Sequence, residues 1–250
     1  MKYKAVICDV DGTLMENRFE AMPSEKVTQV IQKASRFIHI GIATSRPYYQ
    51  VSHIIDHLNL SGPSIIHGGS QIIDTSSGKI LKEHKFKKEE LQEAYEIVKK
   101  YGYKLNIDQD GKMTPVESKP ESDDVLGTVI WRVDEGAEKL IKELSKISTI
   151  NLYKIVSWEK GRIDLSISPL EGTKQHGILE VANILGIKTH EIIGIGDGYN
   201  DFPLLMACGL KVAMGNAVPE LKEIADYIAP TVEEDGVAKV LEKFVLRKAT

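Results

Sequence analysis

Hydrophobic and polar positions near both ends of the chain alternate between short buried strands and amphipathic helices. The apolar run KAVI before CDVDG, the segment FIHIGIAT and residues 64–66 each predict a strand. Apolar residues recur at helical spacing in residues 24–34, with Ser24 as N-cap, and again in a helix that starts near Pro47. This strand–helix alternation predicts a parallel sheet with crossover helices.

The same alternation returns in the last third of the chain. A helix capped by Thr173 and ended by Gly186 precedes a strand at IIGIGD. The segments FPLLMAC, PELKEIA and DGVAKVLEKF predict further helices, and LKVAM predicts a strand. These elements complete the sheet predicted from the N-terminal third.

The middle of the chain has a different pattern. QIIDTSSGKIL predicts a hairpin around Ser77 and Gly78, and a later hairpin is predicted to turn at Asp110-Gly111. Strands with interspersed helices then predict a smaller α+β unit over residues 83–168. The expected fold is therefore α/β, with a doubly wound, Rossmann-like parallel-sheet core from residues 1–82 and 169–250 and an inserted α+β domain.

Composition narrows the class of protein. The chain has 250 residues and a net charge of −4, so nothing in its charge predicts nucleic-acid binding. Cys8 and Cys208 show no metal-ligand spacing and are predicted to be buried free thiols, which suits a reducing compartment. Without a signal-peptide pattern or a long apolar stretch, we expect a cytoplasmic protein that does not contact a membrane.

Polar residues follow four of the predicted strands. They are Asp9 with Asp11, Thr44-Ser45-Arg46, His67-Gly68-Gly69, and Asp197 with Asn200 and Asp201; Lys174 opens a helix nearby. Ligands of open parallel sheets bind at the carboxyl ends of the strands. Carboxylates there can hold a hard cation such as Mg²⁺, and hydroxyl, ammonium and backbone N–H groups can hold a phosphate.

Each motif alone has an ordinary structural explanation. Asp-Val-Asp-Gly is often a simple turn, and it fails as a calcium loop because Leu14 stands where that loop needs Gly. Thr44 is equally well explained as a helix cap, and Lys174 alone as a solvated helix residue. His53 and His57 lie opposite an apolar helix face, which predicts solvated side chains and no metal site.

The order of the motifs carries more information than any one of them. Asp-x-Asp-Gly-Thr, Thr-Ser-Arg, Lys and then Gly-Asp-Gly-Tyr-Asn-Asp resembles the haloacid dehalogenase superfamily. The insertion between the Thr and Lys motifs, and the tail VAMGNAVPELKEIADYI, resemble its Cof-like subgroup, in which an α/β cap occupies that place. The resemblance implies a Mg²⁺-dependent phosphatase that hydrolyses a small phosphomonoester, such as a sugar phosphate, through an aspartyl-phosphate.

The resemblance also implies roles for single positions. Asp9 matches the nucleophile and Asp11 the general acid/base. The implied metal site comprises Asp9, Asp11 through its carbonyl, Asp197 and Asp201 in support. The implied substrate-binding residues are Gly12, Thr44, Ser45, Arg46, Lys174 and Asn200. The sequence departs from the subgroup at His67, where Asn is usual, and at Ser45, where Gly is frequent.

Two other functions remain open at this point. The acid at Asp11 is shared, by resemblance, by phosphatases and phosphomutases and is lacking in dehalogenases and transport ATPases. A phosphomutase of the same architecture is therefore the second enzyme hypothesis, and a non-catalytic phosphate-binding module is a third. The expected partner is a small phosphorylated metabolite, and the sequence predicts no oligomeric state.

Overall fold

The computed structural model describes residues 2–18, 20–109, 112–134, 137–157, 159 and 162–248, so the predicted turn at Asp110-Gly111 lies outside the described residues. The strands are β1 (Ala5–Cys8), β2 (His39–Ile42), β3 (Pro63–Ile66), β4 (Gln71–Asp74), β5 (Ile80–Glu83), β6 (Asn106–Gln109), β7 (Lys112–Pro115), β8 (Thr128–Val133), β9 (Ile150–Val156), β10 (Ile163–Pro169), β11 (Ile192–Gly196), β12 (Leu210–Ala213) and β13 (Tyr227–Ile228). The helices are α1 (Glu25–Ala34), α2 (Tyr48–Leu58), α3 (Lys88–Lys100), α4 (Glu138–Leu144), α5 (Lys174–Leu185), α6 (Phe202–Ala207), α7 (Pro219–Glu223) and α8 (Gly236–Phe244).

A parallel sheet carries the two ends of the chain. Its order is β13-β12-β11-β1-β2, and every pairing is parallel. A parallel bridge between Ala43 and Ile65 joins β3 to β2. The predicted α/β fold is confirmed, and because the strands are parallel, the polar residues that follow them lie at one edge of the sheet.

The helices pack around this sheet as their apolar stripes predict. Helix α1 contacts α2 and α8, and α5 contacts α6 and β3. The predicted caps are present: Ser24 accepts a hydrogen bond from the Val27 N–H, Thr173 accepts one from the His176 N–H, and Gly186 ends α5 in a left-handed conformation. The short strand β13 was not predicted.

The middle of the chain forms two antiparallel sheets. Strands β4 and β5 form the predicted hairpin, and β3 pairs with the other side of β4. Strand β5 extends to Glu83. The second sheet has the order β7-β6-β8-β10-β9. Helices α3 and α4 contact each other and contribute to an apolar cluster that spans residues 86–167, apart from the cluster of residues 3–73 and 178–245. The predicted division at residues 83 and 169 stays a prediction.

Neither cysteine is in a disulfide, as predicted. Cys8 is buried, as predicted, whereas Cys208 is partly exposed, so the prediction of a buried thiol was wrong in degree at that position; desolvation raises the pKa of both thiols. Across the part of the chain that the structure describes, no helix combines the length and apolarity that crossing a membrane requires.

Candidate active site

The polar residues that follow the strands come together at the carboxyl edge of the parallel sheet. Asp9 follows β1, and Asp197 follows the adjacent β11. Thr44 lies just beyond β2, and His67 follows β3 directly. Lys174, the first residue of α5, extends into the same place. The structure therefore brings these side chains close together, as the predicted parallel topology required.

Three carboxylates and one ammonium form the centre of the site. Asp9, Asp197 and Asp201 each offer an oxygen atom that lies within 4.8 Å of the others. The Lys174 Nζ donates to Asp9 Oδ1 at 2.5 Å and to Asp201 Oδ1 at 2.6 Å. Asp9, Asp201 and Lys174 are buried. One buried ammonium among three carboxyl groups leaves an excess of negative charge, which a hard cation can offset.

The electrostatics of these groups reflect that crowding. Burial, followed by the Asp201 charge, raises the pKa of Asp9 well above its ordinary value, although Lys174 opposes the shift. Burial and Asp201 also raise the pKa of Asp197 to about 7. Burial disfavours the Lys174 ammonium, but Asp201 and Asp9 outweigh it and raise the lysine pKa. A bound cation would act in the opposite direction and favour ionised carboxylates.

Asp201 organises the loop that follows β11. Its Oδ2 accepts hydrogen bonds from the backbone N–H groups of Asp197 and Gly198, each at 2.9 Å, while Oδ1 accepts from Lys174. Because both oxygens already have donors, the geometry suits Asp201 for holding Lys174 and the loop. Asp9 and Asp197 are better placed to offer oxygens to a cation, and this hard-oxygen set fits Mg²⁺.

The loop after β1 packs tightly against Asp197. The Thr13 hydroxyl donates to Asp197 Oδ1 at 3.0 Å. Gly12 has a φ of +79°, and a Cβ atom at this position would overlap the Asp197 carboxylate. The Asn216 side-chain amide donates to the Gly12 carbonyl at 2.7 Å. Gly12 is therefore required for close approach of two loops, in addition to any role toward substrate.

Asp11 is held by an arginine from the next loop. The Arg46 Nε donates to Asp11 Oδ2 at 2.8 Å, and Nη2 donates to Oδ1 at 2.5 Å. Arg46 is 5% exposed and Asp11 is 23% exposed, so this two-point pair is mostly desolvated. The sequence interpretation placed Arg46 only among substrate-binding residues; in the structure its guanidinium contacts the predicted acid/base directly.

A small cradle lies beside Lys174. The Thr44 hydroxyl accepts a hydrogen bond from the Arg46 backbone N–H at 3.1 Å, and the Asn200 amide donates to the Ser45 hydroxyl at 3.3 Å. Ser45, Lys174 and Asn200 line a narrow cavity between the two sheets. Three of the six predicted substrate-binding residues therefore line this cavity, whereas Arg46 lines a second cavity together with Asp11 and Gly12 packs against Asp197.

His67 differs from the other strand-end residues. Its φ is +51°, a conformation that Asn tolerates better than most residues. Its Nε2 lies 3.7 Å from Asp108 Oδ2 on β6. Burial lowers the pKa of His67 to about 4, although Glu83 opposes the shift. The contact with Asp108 is therefore between a neutral ring and a carboxylate at neutral pH.

The sequence interpretation missed three contributors to this site. Thr13 lies within the Asp-x-Asp-Gly-Thr motif, and Asn216 follows β12, where a polar residue at another strand end was a usable signal. Tyr153 on β9 hydrogen-bonds the Thr173 side chain and lines the narrow cavity, and burial raises its pKa to about 12. No local pattern marked Tyr153, because its contact joins distant parts of the chain.

Comparison with known families agrees with this geometry. The sequence profile of the haloacid dehalogenase-like hydrolases matches residues 6–125 and 114–241. Because the match covers most of the chain, the chain belongs to the haloacid dehalogenase-like hydrolases.

Curated relatives and solved structures extend over nearly the whole chain. The phosphoglycolate phosphatase of Methanopyrus kandleri is 29% identical over 96% of both chains. The 5-amino-6-(5-phospho-D-ribitylamino)uracil phosphatase YcsE of Bacillus subtilis is 26% identical over 97% of this chain and 96% of the relative. BT1666, a phosphatase of the same superfamily from Bacteroides thetaiotaomicron, superposes with a TM-score of 0.82 at 22% identity, covering 97% of this chain and 95% of that one, which shows the shared fold.

Proposed function

We propose that this hydrolase is a phosphatase that hydrolyses a small phosphomonoester, such as a sugar phosphate, through an aspartyl-phosphate on Asp9 with Mg²⁺ as cofactor. The observation that carries the proposal is the group formed by Asp9, Asp197 and Asp201 around the Lys174 ammonium. A carboxylate nucleophile, an adjacent cation site and a buried ammonium are the parts that phosphoryl transfer requires.

In the first step, a carboxylate oxygen of Asp9 attacks phosphorus and the bond from phosphorus to the leaving oxygen breaks. Asp11 donates its proton to that oxygen, so an alcohol leaves. In the second step, water attacks the phosphoryl group, Asp11 takes the water proton, and the bond to Asp9 breaks to release phosphate. The two neighbouring carboxyl groups thus have different roles: Asp9 is the nucleophile, and Asp11 acts first as the acid and then as the base.

The remaining residues stabilise charge and hold the reacting groups. Lys174 offsets charge on the transferred phosphoryl group, and Ser45 and Asn200 orient its oxygens. Asp9 and Asp197 would hold Mg²⁺, with the Asp11 carbonyl as the further ligand that the family resemblance implies. The cation, when bound, supplies positive charge that keeps Asp9 ionised and lowers repulsion of the phosphate dianion.

We further propose that residues 83–168 act as a cap that closes over this site. Tyr153 of β9 reaches Thr173, which caps the helix that carries Lys174, and β9 contacts the 3₁₀ turn Tyr199–Asp201. Closure of such a cap excludes bulk water during transfer. The relatives named above act on leaving groups of different chemistry, so we assign the choice of substrate to the cap. The cytoplasmic location stays a prediction.

Phosphate release separates the proposed function from its alternatives. With Mg²⁺, steady release of inorganic phosphate from a panel of phosphorylated metabolites is expected, and Asp9→Asn should abolish it. A phosphomutase would instead convert a monophosphate to its isomer, with little phosphate released. A binding module would retain phosphorylated ligands without turnover, and either result would overturn the proposal.

A further inference from the structure

One face of the five-stranded antiparallel sheet covers the candidate active site. In the register of β9 and β10, Tyr153 pairs with Ser166 and Ile155 pairs with Asp164. Paired residues of antiparallel strands point to the same side of a sheet. The apolar cluster with α3 and α4 contains Leu165 and lies on the other side. The side chains of Ile155, Asp164 and Ser166 accordingly line the cavity that leads to Asp11.

A β-bulge shapes the centre of this face. Ile163 pairs with Val133 and Leu165 pairs with Ile130, so Trp131 and Arg132 lie opposite the single residue Asp164. Arg132 has a φ of +57°, which is uncommon for a residue other than glycine. Its backbone N–H donates to Asp164 Oδ1 at 2.7 Å. The unfavourable backbone conformation of Arg132 is therefore stabilised by its hydrogen bond to the Asp164 side chain.

The bulge brings an indole ring and a carboxylate to the same cavity. Trp131 and Asp164 both line the space next to Asp11, and both also border the adjoining outer groove. Trp131 is 41% exposed although it is a large apolar side chain. An accessible indole and a buried carboxylate that line the same cavity are suited to contact a bound molecule.

The charge of this cavity is unusual for a site that receives phosphate esters. Among the described residues that line it, Arg46 carries a positive charge, and its guanidinium is bound to Asp11. His67 also lines the cavity and is neutral at neutral pH. Asp164 adds a negative charge to this cavity. Lys174 instead lies in the narrow cavity that Ser45 and Asn200 also line. The positive charge that can offset the phosphate therefore lies in a different cavity from the one that would receive the leaving group.

We infer that Trp131 and Asp164 form the leaving-group site and select an uncharged, hydroxyl-bearing leaving group, such as a sugar or a polyol, over one that carries a carboxylate. This inference rests on the proposed function. The Asp164 carboxylate accepts hydrogen bonds from hydroxyls, and the indole face packs against the C–H groups of the carbon chain. A carboxylate on the leaving group would face Asp164, which disfavours it, because the cations beside the site are already paired: Arg46 with Asp11, and Arg132 of the outer groove with Glu159 at 2.8 Å.

The test uses two substrates that differ at one carbon atom. Sorbitol 6-phosphate and 6-phosphogluconate have the same chain, but the carbon farthest from the phosphate is a hydroxymethyl group in the first and a carboxylate in the second. The wild-type protein should show the higher kcat/KM with sorbitol 6-phosphate. Asp164→Asn keeps the acceptor for the Arg132 N–H and should reduce this preference about tenfold or more, since juxtaposed like charges cost several kcal/mol.

Controls separate selection from damage to the core site. Glu138→Gln removes the same charge from an exposed position on α4 and should leave the preference unchanged. Acetyl phosphate, whose two-carbon leaving group lacks the hydroxyl-bearing chain that Asp164 and Trp131 would contact, should be hydrolysed alike by the wild type, Asp164→Asn and Trp131→Ala. Trp131→Ala should lower kcat/KM about tenfold for sorbitol 6-phosphate, because lost indole packing amounts to roughly 1.4 kcal/mol.

Two results would overturn the inference. The first is a wild-type preference for 6-phosphogluconate, and the second is a preference that Asp164→Asn leaves unchanged while acetyl phosphate is still hydrolysed. Failure of the wild-type protein to hydrolyse any of the three phosphates would instead overturn the proposed function, and the inference with it.

Discussion

Arg46 binds both carboxylate oxygens of Asp11 through a two-point ion pair, at 2.8 Å and 2.5 Å. The pair fixes the orientation of the predicted acid/base, because a planar guanidinium bound at two points restricts rotation of the carboxylate. The geometry therefore assigns Arg46 to positioning Asp11 as well as lining the cavity.

The first prediction replaces Arg46 by lysine. Arg46→Lys keeps the charge but loses the planar two-point contact, so Asp11 becomes less well oriented. We expect kcat to fall about tenfold, which corresponds to the loss of roughly one charge-assisted hydrogen bond. Steady-state phosphate release measures this fall in kcat. The matched control is Arg36→Lys, which makes the same change at an exposed position and should leave kcat unchanged.

A double-mutant cycle then tests whether Arg46 acts through Asp11. Residues that work as a unit have effects that are less than additive. Arg46→Lys should therefore cost little when Asp11 is already asparagine. Fully additive losses would show that Arg46 acts on the substrate independently of Asp11.

The second prediction concerns proton transfer by Asp11. Asp11→Asn has nearly the same shape but cannot donate or accept the proton. For a sugar phosphate, whose leaving group is a poor alkoxide, we expect a loss of about 10²–10⁴-fold. For p-nitrophenyl phosphate the phenolate leaves without help, so a burst of nitrophenol should precede slow turnover. Equal slowing of the first step for both substrates would mean that Asp11 serves geometry alone.

The third prediction concerns the cation site and uses Thr13. Thr13→Val removes the hydroxyl that orients Asp197. Loss of such an outer contact typically weakens metal binding about 10–100-fold. The Mg²⁺ concentration for half-maximal phosphate release should rise to that extent, while kcat at saturating Mg²⁺ changes little.

Two further measurements complete the cation test. Thr28→Val removes a buried hydroxyl on α1, a helix that supplies no residue of the candidate site, where it contacts Ser24 and His57; this variant should leave the Mg²⁺ requirement unchanged. Calcium should substitute poorly, because its larger coordination shell suits the site less well. Full turnover of the wild-type protein in the presence of a chelator would contradict the metal assignment.

The fourth prediction concerns stability against pH at His67. Its pKa is lowered to about 4 in the folded protein, against an ordinary value of 6.5. Between these values the unfolded chain binds a proton that the folded chain does not, so stability falls as pH decreases through this window. Relative to His67→Asn, the wild type should lose about 2 kcal/mol between roughly pH 7.5 and pH 5.

Urea unfolding at the two pH values measures this difference. Asparagine tolerates the left-handed backbone at position 67, so the variant should fold normally. His53→Asn, at an exposed position on α2, is the control and should keep the wild-type dependence on pH. A parallel pH dependence for the wild type and His67→Asn would refute the lowered pKa.

Much of the fold followed from local signals in the sequence. Helix α5 was predicted with its first and last residues because Thr173 and Gly186 are strong cap residues. The convergence of Asp9 and Asp197 followed from parallel topology. The two-residue strand β13 has no periodicity of its own, and its pairing depends on the sheet being formed.

Contacts between loops that are distant in the chain could not be predicted from the sequence. The pair of Arg46 and Asp11 depends on how two loops face each other, which no spacing reveals. The bulge that joins Trp131 to Asp164 places a positive φ at Arg132, where no glycine signals it. Side-chain partners across loops depend on tertiary packing, whereas element type depends largely on local pattern.

The most direct test of the account is the identity of the phosphorylated residue. Asp11→Asn should be mixed with p-nitrophenyl phosphate and Mg²⁺, quenched with acid during the burst, and examined by mass spectrometry. Since hydrolysis of the intermediate lacks its base, the protein should gain one phosphoryl group. Borohydride reduction should then convert Asp9, and no other aspartate, to homoserine. Normal turnover by Asp9→Asn, or a phosphoryl group on a different residue, would contradict the central claim.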